Sequence, residues 1–350
     1  MSEPALRCSP LDAAHRAMGA RMAPFGGWDM PLEYSGAVSE HLACRSAAAA
    51  FDVSHLGTVV LPAGDSTVER VRDTLTNDIT KITPGRAQYT HLLDDNAGVV
   101  DDIIIWWLPS GDMHVMPNAS NTAGVRAVLG GDDVTEQRAV IAVQGPDART
   151  LLARRWPSIG QVGRFHVAEC NLDGTPCTVA GTGYTGGPGV EIAVPRDAAE
   201  QIWAAIGDCG VPPAGLGARD TLRVEAGLPL HGHELGPDIT PLQAGLGWVV
   251  AFDTDFIGRE ALLTERERGP RRRLCGLDTG QRRPIRHGYE VVVGGKQVAE
   301  VTSGNFIPTL GRSVGMALLP HTVAPGDSVD VMARGSAIAA QVVNLPFTSN

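Results

Sequence analysis

The part of the chain from Arg273 onward differs from everything before it, and this change constrains the fold more than any other feature. Short apolar runs alternate there with glycine and proline, at 289–293, 298–301, 314–319 and 337–343. Runs of this length between turn-forming residues are typical of β-strands. The pattern predicts a separate all-β module of about 80 residues that begins near Gly269-Pro270.

The residues before that boundary mix helical and strand patterns, so we predict an α+β chain. Strands are expected at 88–93, 99–107, 140–143 and 190–194, and helices at 39–49, 147–156, 198–206 and 259–268. Ser9-Pro10-Leu11-Asp12 is typical of a capping box with proline at the first helical position, which predicts an early helix. At about 150 residues per domain, 350 residues predict two or three domains.

The net charge excludes one large class of partners. The chain has 29 Lys+Arg against 39 Asp+Glu, a formal charge of −10, whereas a protein dedicated to nucleic acid needs a basic face. One segment departs from this average, because Arg266 to Arg286 holds eight arginines and only two acids, a local charge of +6. The segment is either a solvated surface around a domain linker or a basic patch that attracts a smaller anionic partner.

The chain shows no segment that would direct it to a membrane. Its first ten residues lack an apolar stretch behind a basic start, and no window approaches about 18 consecutive apolar residues. Its six cysteines contain no C-x-x-C pair and are too sparse for a disulfide scaffold. We expect a soluble cytoplasmic protein with no membrane partner and no nucleic-acid partner.

Two motifs are typical of ligand sites but lack the required context. Residues 181–186 have the spacing G-x-G-x-x-G, yet another glycine-proline-glycine and then a β-branched run follow, where a dinucleotide site needs a helix. The spacing therefore predicts a hairpin-like turn. His231 and His233 have no third ligand at metal spacing, so we expect no metal site.

Asp101 and Asp102 open the apolar run 103–107. Adjacent side chains on a strand point to opposite faces, so at most one of the two carboxylates enters a given pocket. An acid beside so much apolar surface has its ionised form disfavoured, which is how general acid and base groups are tuned. The pair is either a polar strand edge or the source of one catalytic carboxylate.

The order of these and other motifs along the chain resembles one known family. The motifs are FGGWDMPL (25–32), FDVSH (51–55), TND (76–78), GVVDD (98–102), QGP (144–146), GYTG (183–186), GLGARD (215–220), RxEAG (223–227), FIG (256–258) and TSGxxxPTLG (302–311). Together they cover nearly all 350 residues. The chain resembles the T-protein of the glycine cleavage system, a tetrahydrofolate-dependent aminomethyltransferase.

The resemblance implies a three-domain ring, or cloverleaf, with two mixed α/β domains and a C-terminal jelly-roll-like β-barrel around a central folate channel. Domain 1 would comprise residues 1–59 and 138–218, and domain 2, with the folate site, residues 60–137 and 219–269. Both would be discontinuous. The barrel would comprise residues 270–350, which agrees with the all-β module that the residue pattern predicts independently.

The resemblance also implies a reaction and its partners. Members of the family take an aminomethyl group from the dihydrolipoyl arm of the H-protein, release ammonia and leave 5,10-methylenetetrahydrofolate. We therefore expect tetrahydrofolate as a cosubstrate, lipoylated H-protein and folate as partners, and a monomer. The basic segment would then attract either the glutamate tail of folate or an acidic H-protein.

Motif positions assign the expected site residues. Asp102 corresponds to the family's catalytic carboxylate near N5 of folate, where a fixed negative charge stabilises an iminium-like carbon in transfer; Asp101 would point away from the site. Glu191 matches the acid that binds the pterin ring, and Arg219 matches an arginine near the pterin or the glutamate tail. The other expected folate contacts are Leu56, Tyr89, Asn118 and Tyr184.

Several positions depart from the family pattern. Trp106 stands where a tyrosine is common, Leu56 where methionine is frequent, and Gly187 where an acid usually follows Gly-Tyr-Thr-Gly. The residues after Pro346-Phe347 lack an arginine that is often present there, which bears on the expected contact with the H-protein or the folate tail.

Two other functions occur on the same fold. One is a folate-dependent demethylase of a small methylated substrate; the presence of Asp102, the length and the absence of a fused oxidase domain favour the aminomethyltransferase. The other is a non-catalytic folate-binding protein. Such relatives usually carry a cysteine in the turn that corresponds to residues 181–189, and this turn has none.

Overall fold

The computed structural model describes residues 5–348, so the outer ends of the predicted first and third domains, 1–4 and 349–350, lie outside the described residues. The chain divides into two compact units. Unit 1 takes in the described residues of Met1–Arg72, Ile79–Thr90 and Ile103–Arg219. Unit 2 takes in those of Asp73–Asp78, His91–Asp102 and Asp220–Asn350.

The α-helices of the described residues are short, and several carry an acid in the first turn, where it complements the helix dipole. They are α1 (Asp12–Ala17), α2 (Ala37–Ser46), α3 (Asp65–Arg72), α4 (Thr122–Leu129), α5 (Ala148–Ala153), α6 (Ala199–Asp208), α7 (Leu216–Glu225) and α8 (Arg259–Arg268). None of these described helices combines the length and the apolar character that crossing a bilayer requires.

The strands fall into three open sheets and one closed barrel. They are β1 (Arg7–Cys8), β2 (Arg21–Phe25), β3 (Trp28–Glu33), β4 (Ala49–Asp52), β5 (Val59–Leu61), β6 (Arg86–Leu93), β7 (Val99–Trp107), β8 (Met113–Met116), β9 (Asp132–Asp133), β10 (Arg138–Gln144), β11 (Val167–Leu172), β12 (Thr175–Ala180), β13 (Gly189–Pro195), β14 (Arg272–Asp278), β15 (Glu290–Val293), β16 (Lys296–Ile307), β17 (Arg312–Pro320), β18 (Ser328–Ala333) and β19 (Ser336–Val343).

The main sheet of unit 1 is antiparallel, with the strand order β11-β12-β13-β10-β4. Every residue of β10 is buried, as expected for a strand covered on both faces. Side chains of β10 and β13, such as Ile141 and Ile192, form one apolar core with Leu152 of α5 and Ile202 of α6. This burial supplies the main favourable term in folding of unit 1.

Two further sheets precede the barrel in the chain. A small three-stranded sheet has the order β1-β3-β2 and belongs to unit 1. A five-stranded sheet has the order β6-β7-β8-β5-β9, and the unit boundaries at Thr90 and Asp102 fall within β6 and β7. The burial pattern of β7 alternates from Val99 to Ile105, so its odd-numbered residues are buried and its even-numbered residues are partly exposed.

Unit 2 contains a closed six-stranded barrel with the order β14-β17-β16-β15-β18-β19. Closure leaves no strand edge unpaired, and the interior is filled by apolar side chains such as Leu277, Val301 and Val331. The all-β module predicted from the glycine- and proline-punctuated runs is therefore confirmed. It begins at Arg272, just after the predicted boundary at Gly269-Pro270.

Several predicted elements keep their bounds, but the predicted capping box is wrong. β7 and α8 have the predicted ends, whereas α1 begins at Asp12 rather than at Pro10. The hydroxyl of Ser9 does not cap the helix; it accepts a hydrogen bond from Leu11 N and donates one to the buried carboxylate of Asp52. The carboxylate of Asp12 accepts from Arg16 Nε, 2.9 Å, and so does not close the box back to Ser9.

The division into three domains stays a prediction. Division by compactness places the barrel in the same unit as residues 220–268, and α7 spans the unit boundary at Arg219.

The motif at 98–102 begins with a glycine whose backbone is tightly enclosed. A Cβ at Gly98 would lie 1.8 Å from the carbonyl oxygen of Pro237 and 2.9 Å from its Cα. The neighbouring turn is fixed by bonds from Gly98 N to the carboxylate of Asp94, 2.9 Å, and from Asp94 N to Gly98 O, 2.9 Å. Because the obstructing atoms are backbone, they cannot rotate away.

We therefore expect Gly98→Ala to lower the free energy of unfolding by about 2–4 kcal/mol, measured by denaturant unfolding. The matched control is Gly124→Ala in α4, where an added Cβ meets nothing within 4 Å. It should be neutral or raise stability by about 0.5–1 kcal/mol, because alanine favours a helix interior. Equal effects of the two substitutions would contradict the steric argument.

Candidate functional site

Two distant parts of unit 1 leave its main sheet at the same edge. Ala50 of β4 pairs in parallel with Pro213, through bonds from Ala50 N to Pro212 O, 2.9 Å, and from Ala214 N to Ala50 O, 2.8 Å. Parallel segments end at one edge of a sheet. The residues that follow, 53–58 on one side and 215–219 on the other, therefore begin at a common edge.

The first of these segments, the loop 53–58, is held by one buried arginine. Arg138 donates from Nη1 to Ser54 O, 2.8 Å, from Nε to Thr58 Oγ1, 2.9 Å, and from Nη2 to Leu56 O. Burial lowers the pKa of Arg138 to about 10, which still leaves the guanidinium charged at neutral pH. The conformation of the loop is thus fixed independently of any ligand.

His55 lies in this loop and is an uncharged imidazole. It is buried, and the ring of Phe25 meets it edge-to-face with centroids 5.2 Å apart. Within residues 5–348 its Nδ1 has no hydrogen-bond partner. Burial first, and then the charge of Arg219, lower the pKa of His55 to about 3.

Arg219 lies in the first turn of α7, where its backbone N–H donates to Gly215 O, 3.1 Å. Its guanidinium stands over the ring of Tyr184, with Cζ 4.9 Å from the centroid, a cation–π geometry. Burial lowers the pKa of Arg219, and the carboxylate of Glu191 opposes this shift. Its Nη1 is buried and has no hydrogen-bond partner among the described residues.

Glu191 is a buried carboxylate on β13, opposite Ala142 of the central strand β10. Its Oε2 accepts a hydrogen bond from Thr182 Oγ1, 2.5 Å. The hydroxyl fixes the orientation of the carboxylate, which lies close enough to Arg219 for its charge to oppose the lowering of the Arg219 pKa by burial.

The glycine-rich turn 181–188 joins the antiparallel strands β12 and β13, as the sequence predicts, and is wrapped around Gln144. Gln144 donates from Nε2 to Thr182 O, 3.1 Å, and accepts at Oε1 from Thr185 Oγ1, 3.1 Å. A Cβ on Gly183 would lie 1.9 Å from the Gln144 amide oxygen. The glycines thus allow the backbone of the turn to approach the buried amide of Gln144 closely. Tyr184 lies in the middle of this turn.

The remaining expected site residues lie on other elements. Asp102 is the fourth residue of β7 and is half-buried, whereas Asp101 is fully buried, so the two side chains have opposite environments as predicted. Tyr89 on β6 and Asn118, two residues after β8, are both half-buried. Asp102 belongs to unit 2, while the other expected residues belong to unit 1.

Within unit 1, the structure brings together Tyr184, Glu191 and Arg219, with Leu56 in the loop that holds His55. The roles of these residues remain predictions. The residues that hold the site, Arg138 and Gln144, were not predicted from the sequence. Their only signal is a polar residue at each end of an otherwise apolar strand, β10.

Comparisons with known proteins extend over the whole chain. The models for the GCVT N-terminal domain and the glycine cleavage T-protein C-terminal barrel domain match residues 11–254 and 272–348. An aminomethyltransferase of Mycobacterium tuberculosis (strain ATCC 25618 / H37Rv) is 43% identical over 362 residues, which cover 99% of this chain and 98% of that protein. One of Desulfitobacterium hafniense (strain DSM 10664 / DCB-2) is 41% identical over 354 residues, 97% of each.

A solved structure agrees with these matches. The crystal structure of glycine cleavage system aminomethyltransferase T from Bartonella henselae superposes with a TM-score of 0.91 at 34% identity, covering 98% of both chains. Fold, barrel and sequence together define a one-carbon transferase. The chain belongs to the glycine cleavage T-protein family, and its activity is that of an aminomethyltransferase. These matches favour it over the two alternatives raised by the sequence.

The neutral state of His55 makes stability depend on pH. In the unfolded chain a histidine takes up a proton below about 6.5, whereas in the folded protein His55 does so only near pH 3. The unfolded state therefore binds more protons between these values, so stability is fully present above about pH 6.5 and is lost as the pH falls toward 3.

We expect His55→Asn to flatten the decline in unfolding free energy between about pH 6.5 and 4, measured by denaturant unfolding at each pH. The control is His321→Asn, at an exposed position, which should keep the wild-type slope. An unchanged slope in His55→Asn would show that His55 is not buried as a neutral ring.

Proposed function

We propose that this chain transfers the aminomethyl group of the dihydrolipoyl arm of the H-protein to tetrahydrofolate, releasing ammonia and leaving 5,10-methylenetetrahydrofolate. The observation that carries the proposal is Arg219, whose Nη1 lacks a partner in the described part of the chain while Glu191 and Tyr184 lie beside it. A desolvated donor near a buried acceptor suits a ligand that carries both hydrogen-bond acceptors and hydrogen-bond donors. A pterin ring, with donating amino and N–H groups and an accepting carbonyl, has this pattern.

In this proposal each residue of unit 1 has a separate task. Glu191 accepts from the pterin donors, in the orientation that Thr182 fixes. Arg219 donates to an oxygen of folate, and Tyr184 stacks below its guanidinium. Leu56 provides apolar contact from a loop whose backbone Arg138 fixes. Tyr89 and Asn118 complete the expected folate contacts.

Asp102 is the proposed catalytic residue. An aminomethyl carbon leaves sulfur most easily as a cationic, iminium-like group, so a fixed carboxylate lowers the energy of the transition state by opposing that charge. The same carboxylate can accept and return a proton as ammonia departs. Its half-buried position on β7 keeps water from screening the charge fully.

We expect Asp102→Asn to lower kcat for ammonia release from aminomethylated H-protein by about 100-fold or more, because the amide keeps the shape and loses the charge. The assay follows ammonia with tetrahydrofolate present. The KM for tetrahydrofolate should change little.

The matched control is Asp95→Asn, an exposed residue seven positions earlier in the chain. It should keep wild-type kcat. Near-wild-type ammonia release by Asp102→Asn would remove Asp102 from the mechanism, and formation of 5-methyltetrahydrofolate from a small methyl donor, with no product from H-protein, would overturn the proposed donor.

The proposal extends to architecture and setting, supported by membership of the family. We infer a three-domain ring around a folate channel, with domains at 1–59 and 138–218, at 60–137 and 219–269, and at 270–350. We further infer a monomer that works in the cytoplasm with lipoylated H-protein and folate.

The arginines of the basic segment 266–286 are all exposed except Arg272, which is half-buried. Five make contacts within unit 2: Arg266 over Phe252, Arg272 with Gln243, Arg282 over Phe306, Arg283 with Ala333 O and Arg286 with Asn305. Arg273 hydrogen-bonds the side chain of Cys275, and Arg268 and Arg271 are the remaining two. We propose that these exposed charges attract an acidic H-protein, because attraction between surface charges speeds encounter more than it strengthens the complex.

We expect the double variant Arg268→Gln, Arg271→Gln to raise the KM for H-protein several-fold at low salt and to weaken its dependence on salt, with kcat unchanged at saturation. The measurement is a series of steady-state assays from low to high ionic strength. The control removes the same charge at two exposed lysines, Lys81→Gln with Lys296→Gln. Equal effects of the two double variants would attribute the change to net charge alone.

A further inference from the structure

We propose that Glu40 is a positioning residue for Arg219, which it holds in place for tetrahydrofolate through the backbone of Gly215. Glu40 lies on α2 and is buried in unit 1. No role in the reaction attaches to it through the motifs above. The inference rests on the proposed function, because it takes Arg219 to be a folate-binding residue.

The two carboxylate oxygens of Glu40 serve two different helices. Oε1 accepts three backbone N–H groups, from Tyr34 at 2.6 Å, Ser35 at 2.8 Å and Gly36 at 3.1 Å, immediately before α2. Oε2 accepts from Gly215 N, at 2.8 Å, immediately before α7. One buried negative charge therefore lies at the N-termini of both helices, where the helix dipoles stabilise it.

The second of these bonds leads directly to Arg219. Gly215 N–H donates to Glu40, and Gly215 O accepts from the backbone N–H of Arg219, at 3.1 Å. Gly215 thus links the carboxylate to the first turn of α7. A shift of Gly215 moves the Arg219 backbone by a similar distance, and so moves the guanidinium relative to Tyr184 and Glu191.

Gly215 is also enclosed from a second direction. A Cβ there would lie 2.3 Å from both the carbonyl carbon and the carbonyl oxygen of Leu32, in β3. The preceding residue, Ala214, donates to Ala50 O of β4. Of these three contacts, the one with Glu40 is made by a side chain and the other two by backbone atoms, so it is the one that a substitution can remove without a change of volume.

A positioning role explains why a carboxylate, and not an amide, stands at residue 40. Four N–H donors meet its two oxygens, so both oxygens must be acceptors. In Glu40→Gln, the single amide oxygen is best placed against the three donors before α2. The amide NH₂ then faces Gly215 N–H, so that two donors oppose each other. The hydrogen bond to Gly215 before α7 is lost, whereas the three hydrogen bonds before α2 remain.

We expect Glu40→Gln to raise the Kd and the KM for tetrahydrofolate roughly tenfold, the factor that loss of one well-placed charged hydrogen bond gives. The KM for H-protein and kcat at saturating folate should stay within twofold. Binding is measured by calorimetry with tetrahydrofolate under anaerobic conditions, and the kinetic constants by ammonia release.

A double-mutant cycle with Arg219→Ala separates positioning from a general effect on folding. If Glu40 acts through Arg219, Glu40→Gln should weaken folate binding in the wild-type background and add little in the Arg219→Ala background. Additive effects would overturn the inference. The stability control is Ile159→Val in the core of unit 1, which lowers stability without touching α7 and should leave the Kd for folate unchanged.

The double-mutant cycle also distinguishes failure of the proposed role of Arg219 from failure of the inference about Glu40. If Arg219→Ala binds tetrahydrofolate as tightly as the wild type, the proposed role of Arg219 fails. If Arg219→Ala weakens binding and Glu40→Gln does not, only the inference about Glu40 fails. Restored binding in Glu40→Asp, relative to Glu40→Gln, would support the carboxylate as the required group.

Discussion

The parallel pairing of β4 with residues 212–214 is the constraint on which the site in unit 1 depends. It brings together the loop that holds His55 and the helix that holds Arg219, which lie far apart in the chain. Backbone bonds alone set the common edge. Buried side chains then fix each segment locally: Arg138 holds the loop, and Glu40 holds the entry to α7. The side chains proposed to meet the substrate are thus supported by groups that do not meet it.

Burying a charge destabilises the fold, and the site reduces this penalty by placing an opposite charge and an aromatic ring beside the buried guanidinium of Arg219. A buried guanidinium without a partner would destabilise the fold by several kcal/mol. Arg219 lies near Glu191 and over Tyr184, and these contacts offset part of the free energy lost when the guanidinium is buried. The part due to Nη1 is not offset, because this atom has no hydrogen-bond partner among the described residues. A ligand acceptor at Nη1 would offset this part, so binding and stability are coupled at this residue. Arg138, in contrast, has its carbonyl acceptors within the protein and needs no ligand.

The sequence predicted the elements better than the contacts between them. Alternation in β7 was sufficient to separate Asp101 from Asp102, because a two-residue period is a local property of a strand. The all-β module followed from the spacing of turn residues, whereas its closure into a barrel was implied by the family resemblance alone. The capping box at Ser9 failed because α1 begins only at Asp12, whose carboxylate accepts from Arg16 instead of reaching back to Ser9. The roles of Glu40, Arg138 and Gln144 could not be predicted from the sequence, because their hydrogen-bond partners are distant in the chain and come near only in the folded sheet.

The charges in the described site also indicate which ligands it suits. Arg219 is balanced by Glu191, and His55 is held neutral by burial and by the nearby arginine charge. A phosphate group would need an excess of positive charge or a helix N-terminus behind a glycine-rich loop. The glycines at 183 and 189 instead close on the amide of Gln144, and a strand follows them. A balanced pair beside an aromatic ring agrees with the proposal that the site binds an uncharged polar heterocycle, and this proposal rests on the residues around Arg219 as much as on Arg219 itself.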